Sequence, residues 1–120
     1  MAKKILVVDD EPDLIKVTVY RLKKMGYDVI IGTTGQEALD LIRSERPDLV
    51  LLDLRLPIID GLEVCRKAKA DEKLKHIPVI LFTASTDAIK DNVKDVAADG
   101  YLIKPFSAEQ LTAELKKFLG

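Results

Sequence analysis

The sequence predicts an α/β fold, a doubly wound (βα)₅ domain in which a five-stranded, mainly parallel sheet lies between two layers of helices. Short apolar runs, most of them rich in branched residues, alternate with amphipathic stretches from one end of the chain to the other. Such runs are typical of strands that are buried on both faces of a parallel sheet. Strands that alternate with helices in this way favour a three-layer sandwich.

Each of these elements can be placed by its apolar residues. We expect strands at Ile5–Val8, Val29–Ile31, Leu49–Leu52, Val79–Phe82 and Tyr101–Ile103. Between and after them, apolar residues recur at helical spacing, which predicts five helices with one buried face each. The residues that form these faces are Leu14, Ile15, Leu22 and Met25; Ala38, Leu41 and Ile42; Leu62, Cys65 and Ala68; Ile89, Val93, Val96 and Ala97; and Leu111, Leu115, Phe118 and Leu119.

Capping residues mark several of the helix ends. Gly26 follows the first apolar stripe and suits the C-terminal cap of the first helix. Thr34 with Glu37 and Ser107 with Gln110 have the spacing of a capping box, and Asp60 suits the N-cap of the third helix. The sequence therefore predicts helix boundaries as well as helix positions.

Composition and charge exclude several classes of protein. The 120 residues include 19 Lys and Arg against 20 Asp and Glu, so the net charge is −1. This balance argues against direct binding of nucleic acid through phosphate neutralisation. Cys65 is the single cysteine, which excludes an intrachain disulfide and suits a small core residue. Since neither a signal-peptide layout nor a bilayer-length apolar run is present, we expect one cytoplasmic domain over residues 1–120, without membrane insertion.

Polar residues follow four of the five predicted strands. Asp9 and Asp10 follow the first, Asp53 the third, Thr83 the fourth and Lys104 the fifth. A single Asp after a strand is usually a helix cap or a loop residue. However, the carboxyl ends of parallel strands share one edge of the sheet, where ligands of open α/β sheets bind. The pattern therefore predicts one site that contains three carboxylates, a hydroxyl and an ammonium group.

Three carboxylates in one cleft repel one another. Each pair at a separation of about 4 Å costs on the order of 4 kcal/mol at an effective dielectric constant of about 20. Lys104 supplies one compensating charge, and a hard divalent cation would supply the rest. Mg²⁺ prefers a few carboxylates, water and phosphate oxygens, whereas ligand patterns for a calcium loop or for zinc are absent from the sequence. We therefore predict a Mg²⁺ site that is open toward a phosphate, with Mn²⁺ as an alternative ion.

Four segments of the sequence resemble the receiver domains of two-component response regulators, in particular the single-domain chemotaxis regulators. They run from Val7 to Pro12, from Asp48 to Gly61, from Pro78 to Ala84 and from Gly100 to Phe106. They occur in the order of that family and span nearly the whole chain. The resemblance implies a flavodoxin-like fold with strand order 2-1-3-4-5.

The resemblance also implies a role for each residue of the acidic site. Asp53 would be the phosphoacceptor nucleophile. Asp10 and Asp53 would bind Mg²⁺ directly, Asp9 through water, and the backbone carbonyl of Arg55 would add a ligand. Lys104 would pair with Asp53 and then with a phosphoryl oxygen. These roles agree with the need of phosphoryl transfer for positioning and charge neutralisation.

Further expectations from the resemblance concern the switch and its partners. Thr83 would bind a phosphoryl oxygen and Tyr101 would turn inward in response, while Arg55 and Ser85 would modulate dephosphorylation. A histidine kinase or phosphotransfer protein would donate the phosphoryl group. A downstream protein, which the sequence does not identify, would bind the face formed by the fourth helix, fifth strand and fifth helix. The chain would be a monomer or a weak, phosphorylation-dependent dimer.

Three other functions fit the sequence less well than this signalling switch does. A phosphatase of the haloacid-dehalogenase type needs a second Asp two residues after its nucleophile, where this sequence has Arg55. A flavin or nucleotide binder would need a phosphate loop in place of the acidic segment Asp9–Pro12. An unphosphorylated scaffold would not need the complete set of acidic residues with Thr83 and Lys104. We therefore expect a phosphoacceptor that assists its own phosphotransfer and dephosphorylation, and not an enzyme in the usual sense.

Two residues near the strand ends have simpler interpretations. His76 is the single histidine and precedes Ile77 and Pro78 in a predicted loop. No ligand partner is spaced near it, so we expect an exposed loop residue. Pro105 follows Lys104, and the resemblance implies a cis peptide bond between them.

Overall fold

A computed structural model describes residues 2–56, 59–83 and 98–120 of the chain. The described strands are β1 (Lys4–Val8), β2 (Asp28–Gly32), β3 (Leu49–Asp53), β4 (Val79–Thr83) and β5 (Gly100–Ile103). The described helices are α1 (Pro12–Lys24), α2 (Gly35–Glu45), α3 (Gly61–Ala70) and the C-terminal helix α4 (Ala108–Leu119). The helix predicted from Ile89, Val93, Val96 and Ala97 lies outside the described residues.

The strands form one parallel sheet in the order β2-β1-β3-β4-β5. This order and the doubly wound α/β class confirm the predicted fold. Because the chain leaves β1 toward β2 on one side and reaches β3 on the other, the strand order reverses beside β1. A cleft forms at such a switch point, outside the carboxyl ends of the strands. The topology therefore places the ends of β1 and β3 next to each other.

The core consists of two apolar clusters, one on each face of the sheet. Alternate residues of a strand point to opposite faces, so Leu6 and Val8 join one cluster while Ile5 and Val7 join the other. Helices α2 and α3 cover the first cluster, and α1 and α4 contribute to the second. Cys65 is fully buried in the first cluster, where burial raises the pKa of its thiol to about 11. The predicted core role of Cys65 is thus confirmed.

Most of the predicted helix caps are present. The hydroxyl of Ser107 accepts a hydrogen bond from the N–H of Gln110, and the side-chain oxygen of Gln110 accepts one from the N–H of Ser107. Asp60 caps α3, as predicted. Gly26 adopts a φ of +92° just after the Met25 cap of α1, a conformation that favours glycine.

The predicted capping box of α2 is only half formed. The hydroxyl of Thr34 accepts from the N–H of Glu37, as expected. However, the carboxylate of Glu37 accepts from the N–H and hydroxyl of Thr33, one residue before the cap. These bonds lower the pKa of Glu37. The N–H and the hydroxyl of Thr33 thus both donate to the same oxygen of Glu37, which holds this carboxylate one residue before the cap. Within the described ranges, no helix has the length and apolar character needed to cross a membrane.

Candidate functional site

The predicted site residues meet at the carboxyl edge of the sheet. Asp53 and Thr83 are the last residues of β3 and β4, and Asp9 and Lys104 directly follow β1 and β5. Asp9, Asp53 and Thr83 are buried, although they are polar. Asp10 is exposed at the mouth of the same cleft. Four separate strand ends therefore supply one cluster of ionisable and hydroxyl groups.

Local backbone bonds orient the two buried carboxylates. One oxygen of Asp53, Oδ1, accepts a hydrogen bond from the N–H of Arg55 at 3.2 Å. In the same way, Oδ1 of Asp9 accepts from the N–H of Glu11 at 3.0 Å. Each carboxylate thus bonds to the N–H two residues later in the loop that follows its strand. The second oxygen of each group is left to face the cleft.

Lys104 links these second oxygens. Its Nζ lies 3.3 Å from Oδ2 of Asp53 and 3.4 Å from Oδ2 of Asp9. The side chain of Lys104 is only 14% exposed, so these contacts are poorly screened by solvent. One ammonium group is therefore shared between two buried carboxylates, and the cluster keeps a net negative charge.

This excess of negative charge affects the ionisation of Asp53. Burial raises the pKa of Asp53 to about 6, and the nearby carboxylate of Asp9 acts in the same direction. The N–H of Arg55 and the charge of Lys104 lower the pKa, but by less than burial raises it. A cation in the cleft would favour the ionised carboxylate, which is the nucleophilic form.

The geometry of the cluster fits a small divalent cation. One carboxylate oxygen from each of Asp9, Asp10 and Asp53 lies within 4.8 Å of the others. Ligand oxygens of an octahedral Mg²⁺ ion stand about 3 Å apart when adjacent and about 4 Å apart when opposite, so direct binding by all three groups requires their side chains to move closer together. Hard oxygen ligands and uncompensated negative charge are what Mg²⁺ requires. These three residues could therefore hold a Mg²⁺ ion, directly or through water.

Gly61 determines how closely the next loop approaches Asp53. A Cβ atom at Gly61 would lie 2.1 Å from the carbonyl oxygen of Asp53, which is far inside van der Waals contact. The N–H of Gly61 also donates to the carbonyl of Leu54 at 2.9 Å. The start of α3 therefore packs directly on the backbone of Asp53 and Leu54, and only glycine fits there.

The remaining predicted site residues differ in how far the structure describes them. Arg55 is exposed in the loop after β3, and its carbonyl remains only a predicted ligand. Tyr101 is half-buried on β5, opposite Leu81 of β4. Ser85 lies outside the described residues. His76 is exposed in the loop before β4, as predicted, and the peptide bond between Lys104 and Pro105 is cis.

Two contacts of Lys104 were missed at the sequence level. The carboxylate of Glu11 lies 3.8 Å from Nζ of Lys104. The same ammonium lies 4.9 Å from the centroid of the Phe82 ring, a cation–π distance. Glu11 directly follows the acidic pair, and Phe82 precedes Thr83 in the sequence. These positions in the sequence indicate that both residues lie near the site. The sequence does not show, however, that either side chain points toward Lys104.

Fold and site together define a doubly wound domain with an acidic cleft at its switch point. The family model for the response regulator receiver domain matches residues 5–116. The chain belongs to this family, the receiver domains of two-component signalling systems, and the predicted resemblance is confirmed.

Solved structures of receiver domains agree with this assignment. The receiver domain of a sensor histidine kinase from Pseudomonas aeruginosa, which has a magnesium ion coordinated in its active-site cleft, shares 30% sequence identity. The alignment covers 98% of both chains with a TM-score of 0.92. Chemotaxis protein CheY4 of Vibrio cholerae is also 30% identical over 99% of this chain and 100% of its own, with a TM-score of 0.91. The phosphorylated cyanobacterial phytochrome response regulator RcpA is 31% identical over 98% and 91%, with a TM-score of 0.83.

Proposed function

We propose that residues 1–120 act as a phosphoacceptor switch in which Asp53 takes a phosphoryl group from a histidine kinase or a histidine phosphotransfer protein. One observation carries this proposal. The carboxylate of Asp53 is buried at the end of β3 next to Asp9, and Nζ of Lys104 lies 3.3 Å away. A nucleophile with a partly compensating cation suits attack on a phosphoryl group.

Asp9, Asp10 and Asp53, with the backbone carbonyl of Arg55, would hold the Mg²⁺ ion. Bound there, the ion supplies positive charge that offsets the carboxylates and the incoming phosphoryl oxygens. The three oxygens within 4.8 Å of one another support this assignment. Mn²⁺ also accepts oxygen ligands and is the expected substitute.

In the transfer step, an ionised oxygen of Asp53 attacks phosphorus while the bond from phosphorus to the donor's histidine nitrogen breaks. The nitrogen keeps the electron pair of that bond and is protonated from solvent, and the product is an acyl phosphate on Asp53. Lys104 would follow the negative charge to a phosphoryl oxygen, because its ammonium already lies beside Asp53. Hydrolysis of the acyl phosphate would reset the switch.

The direct test is phosphorylation by acetyl phosphate with Mg²⁺, measured by intact mass and peptide mapping. We expect one phosphoryl group on the wild-type chain and none on Asp53→Asn. Asp40→Asn is the matched control, since Asp40 is exposed on α2 and, in the described part of the chain, its carboxylate accepts only from the side chain of Gln36. An Asp53→Asn chain that is phosphorylated as fully as the control would overturn the assignment.

We further propose that Thr83 and Tyr101 read the phosphoryl group. Thr83 is buried at the end of β4, next to Asp53 at the end of β3, so its hydroxyl can move toward a phosphoryl oxygen. Tyr101 is half-buried on the neighbouring strand and would turn inward in response. Amide shifts with and without beryllofluoride test this mechanism. Changes confined to the acidic cleft, without any at Tyr101, would contradict it.

The downstream partner would then bind the face that includes Tyr101 and α4. Arg55 would modulate dephosphorylation, because it is exposed and its N–H donates to the Asp53 carboxylate, and Ser85, two residues after Thr83 in the sequence, would do so as well. Comparing the decay of the phosphorylated chain in Arg55→Ala and Ser85→Ala with the wild type tests both roles. Decay at the wild-type rate in both variants would exclude them.

A further inference from the structure

A second concave site lies at the amino edge of the sheet, opposite the acidic cleft. It is a depression of about 270 Å³ between the start of β1, the loop before β3, the loop before β4 and the end of α4. Its lining includes Lys3, Arg46, Asp48, His76, Pro78 and Phe118. This volume is just below the range of about 300–1,000 Å³ that is typical of small-molecule sites, so only a small ligand would fit.

Charge at this depression is opposite in sign to the charge of the acidic cleft. Lys3, Arg46 and His76 bring three nitrogen-containing side chains to its rim, and Asp48 brings the single carboxylate. One oxygen of Asp48 already accepts a hydrogen bond from the N–H of Lys4 at 2.7 Å. In the described part of the chain, the side chains of Lys3, Arg46 and His76 form no ion pair or hydrogen bond with other residues. Their donors therefore face solvent at a concave surface.

The apolar side of the depression consists of the half-buried ring of Phe118 and of Pro78. A flat organic group could pack there while an anionic group reached the rim. Arg binds phosphate oxygens through two parallel hydrogen bonds, and Lys and His add further donors. Most of the lining surface is polar and the apolar face is small, so the combination suits a phosphate attached to a small apolar body.

The walls of the depression are held in place independently of any ligand. Nζ of Lys69 donates to the carbonyls of Lys75 and Ile77, which flank His76, at 3.1 and 2.9 Å. The same Nζ lies 2.6 Å from the carboxylate of Asp99. On the other wall, Asp48 and Lys4 exchange two hydrogen bonds. A site that is ordered in advance loses less entropy when a ligand binds.

We propose that this depression, defined as the amino-edge pocket, binds a small organic phosphate. Its phosphate is held by Arg46, Lys3 and His76, and its apolar part packs on Phe118 and Pro78. The pocket is separate from the phosphorylation chemistry, because Asp53 lies at the other end of β3. Binding and phosphorylation can therefore be tested independently.

The test is a titration of the full ¹⁵N-labelled chain with phenyl phosphate, without Mg²⁺, followed by amide chemical shifts. We expect saturable shifts at Arg46, Asp48, His76 and Phe118. Inorganic phosphate, which lacks the ring, and phenol, which lacks the charge, should each bind at least about tenfold more weakly. Equal affinity for inorganic phosphate, or shifts that do not saturate, would overturn the proposal.

Two variants separate binding from folding. Arg46 has a φ of +45°, so Arg46→Gly removes the guanidinium without strain at this position. We expect this variant to bind phenyl phosphate at least about tenfold more weakly without a lower unfolding midpoint. Arg43→Gln, at an exposed position one turn earlier that does not line the pocket, should bind as the wild type does. Unchanged affinity in Arg46→Gly, or equal losses in both variants, would contradict the assignment.

Asp53→Asn controls for binding at the other edge of the sheet. Phenyl phosphate should bind this variant as it binds the wild type, with shifts at the same amides of the amino-edge pocket. If the shifts in the wild type instead centre on Asp9 and Asp53, the ligand occupies the acidic cleft and the amino-edge pocket is not its site.

Discussion

The two edges of the same sheet differ in how their charges are balanced. At the carboxyl edge, the buried carboxylates of Asp9 and Asp53 share the ammonium of Lys104. At the amino edge, Lys69 has one carboxylate partner, Asp99, at 2.6 Å. Two backbone carbonyls accept from Lys69, and Asp99 accepts from the N–H of Val79 at 2.8 Å.

This difference separates a structural ion pair from a functional cluster. The Lys69–Asp99 pair is balanced and its hydrogen bonds are satisfied, so it stabilises the loops that carry it. The acidic cluster is unbalanced, and its repulsion is relieved only by protonation or by a bound cation. Sites that bind charged ligands commonly reduce the stability of the unliganded fold in this way. The predictions below test this comparison, beginning with the largest expected effect.

Breaking the balanced pair should destabilise the fold most. In Lys69→Met, Asp99 loses its charged partner, and the exposed carbonyl of Lys75 and the partly buried carbonyl of Ile77 lose a donor. We expect the free energy of unfolding to fall by about 2–3 kcal/mol, less than for a fully buried pair because Asp99 is 32% exposed. Urea unfolding measures this change. Lys75→Met is the control, since its pair with Glu72 is exposed and should contribute under about 0.5 kcal/mol. Equal losses of unfolding free energy in both variants would show that the Lys69–Asp99 pair stabilises the fold no more than an exposed pair does.

Neutralising the unbalanced cluster should instead raise the free energy of unfolding. Because the pKa of Asp53 is about 6 in the fold and near 3.8 when unfolded, the folded state binds more protons between these values. The contribution of Asp53 to stability is therefore present below about pH 4 and is lost as pH rises through 6. We expect the free energy of unfolding of Asp53→Asn to exceed that of the wild type by about 2–3 kcal/mol at pH 8, and by no such amount at pH 4.

Urea unfolding across this pH range, in buffer without divalent cations, checks the prediction. Asp40→Asn should follow the wild type at every pH, because Asp40 is exposed on α2. The two proteins could also differ in free energy of unfolding by the same amount from pH 4 to pH 8. In that case the charge of Asp53 would not be the cause of the difference.

The exposed member of the cluster should have a smaller effect. Asp10→Asn removes one charge at the mouth of the cleft, where solvent screens it. Without metal, we expect this variant to have a free energy of unfolding about 1 kcal/mol above that of the wild type. Mg²⁺ should raise the melting temperature of the wild type, and it should do so much less in Asp10→Asn. Thermal melts at increasing Mg²⁺ measure both. An identical Mg²⁺ response in the two proteins would exclude Asp10 from the cation site.

An effect of similar size concerns the backbone of the amino-edge pocket. Arg46 is a non-glycine residue with φ +45° and ψ +64°, a left-handed conformation. Arg46→Gly and Arg46→Ala both remove the guanidinium, but only glycine removes the steric strain. We expect the glycine variant to be more stable than the alanine variant by about 1 kcal/mol. Equal unfolding midpoints would show that position 46 carries no strain.

Much of this molecule follows from local sequence patterns. Unbroken apolar runs such as Leu49–Leu52 specify strands that are buried on both faces, and this in turn requires helices on both faces. The caps at Asp60 and Ser107 depend on bonds that span three residues, so their spacing was sufficient to predict them. The site could also be assembled from sequence, because Asp9, Asp53, Thr83 and Lys104 each stand at the end of a parallel strand.

Tertiary structure alone decided how those residues meet. Sequence spacing cannot show that Lys104 divides its charge between Asp9 and Asp53, that Glu11 and Phe82 contact the same ammonium, or that burial raises the pKa of Asp53. The amino-edge pocket likewise combines side chains from four separate parts of the chain. Backbone bonds and caps act between near neighbours, whereas electrostatic energy depends on distance and burial. These are properties of residues far apart in sequence, and they exist only once the sheet has brought those residues together.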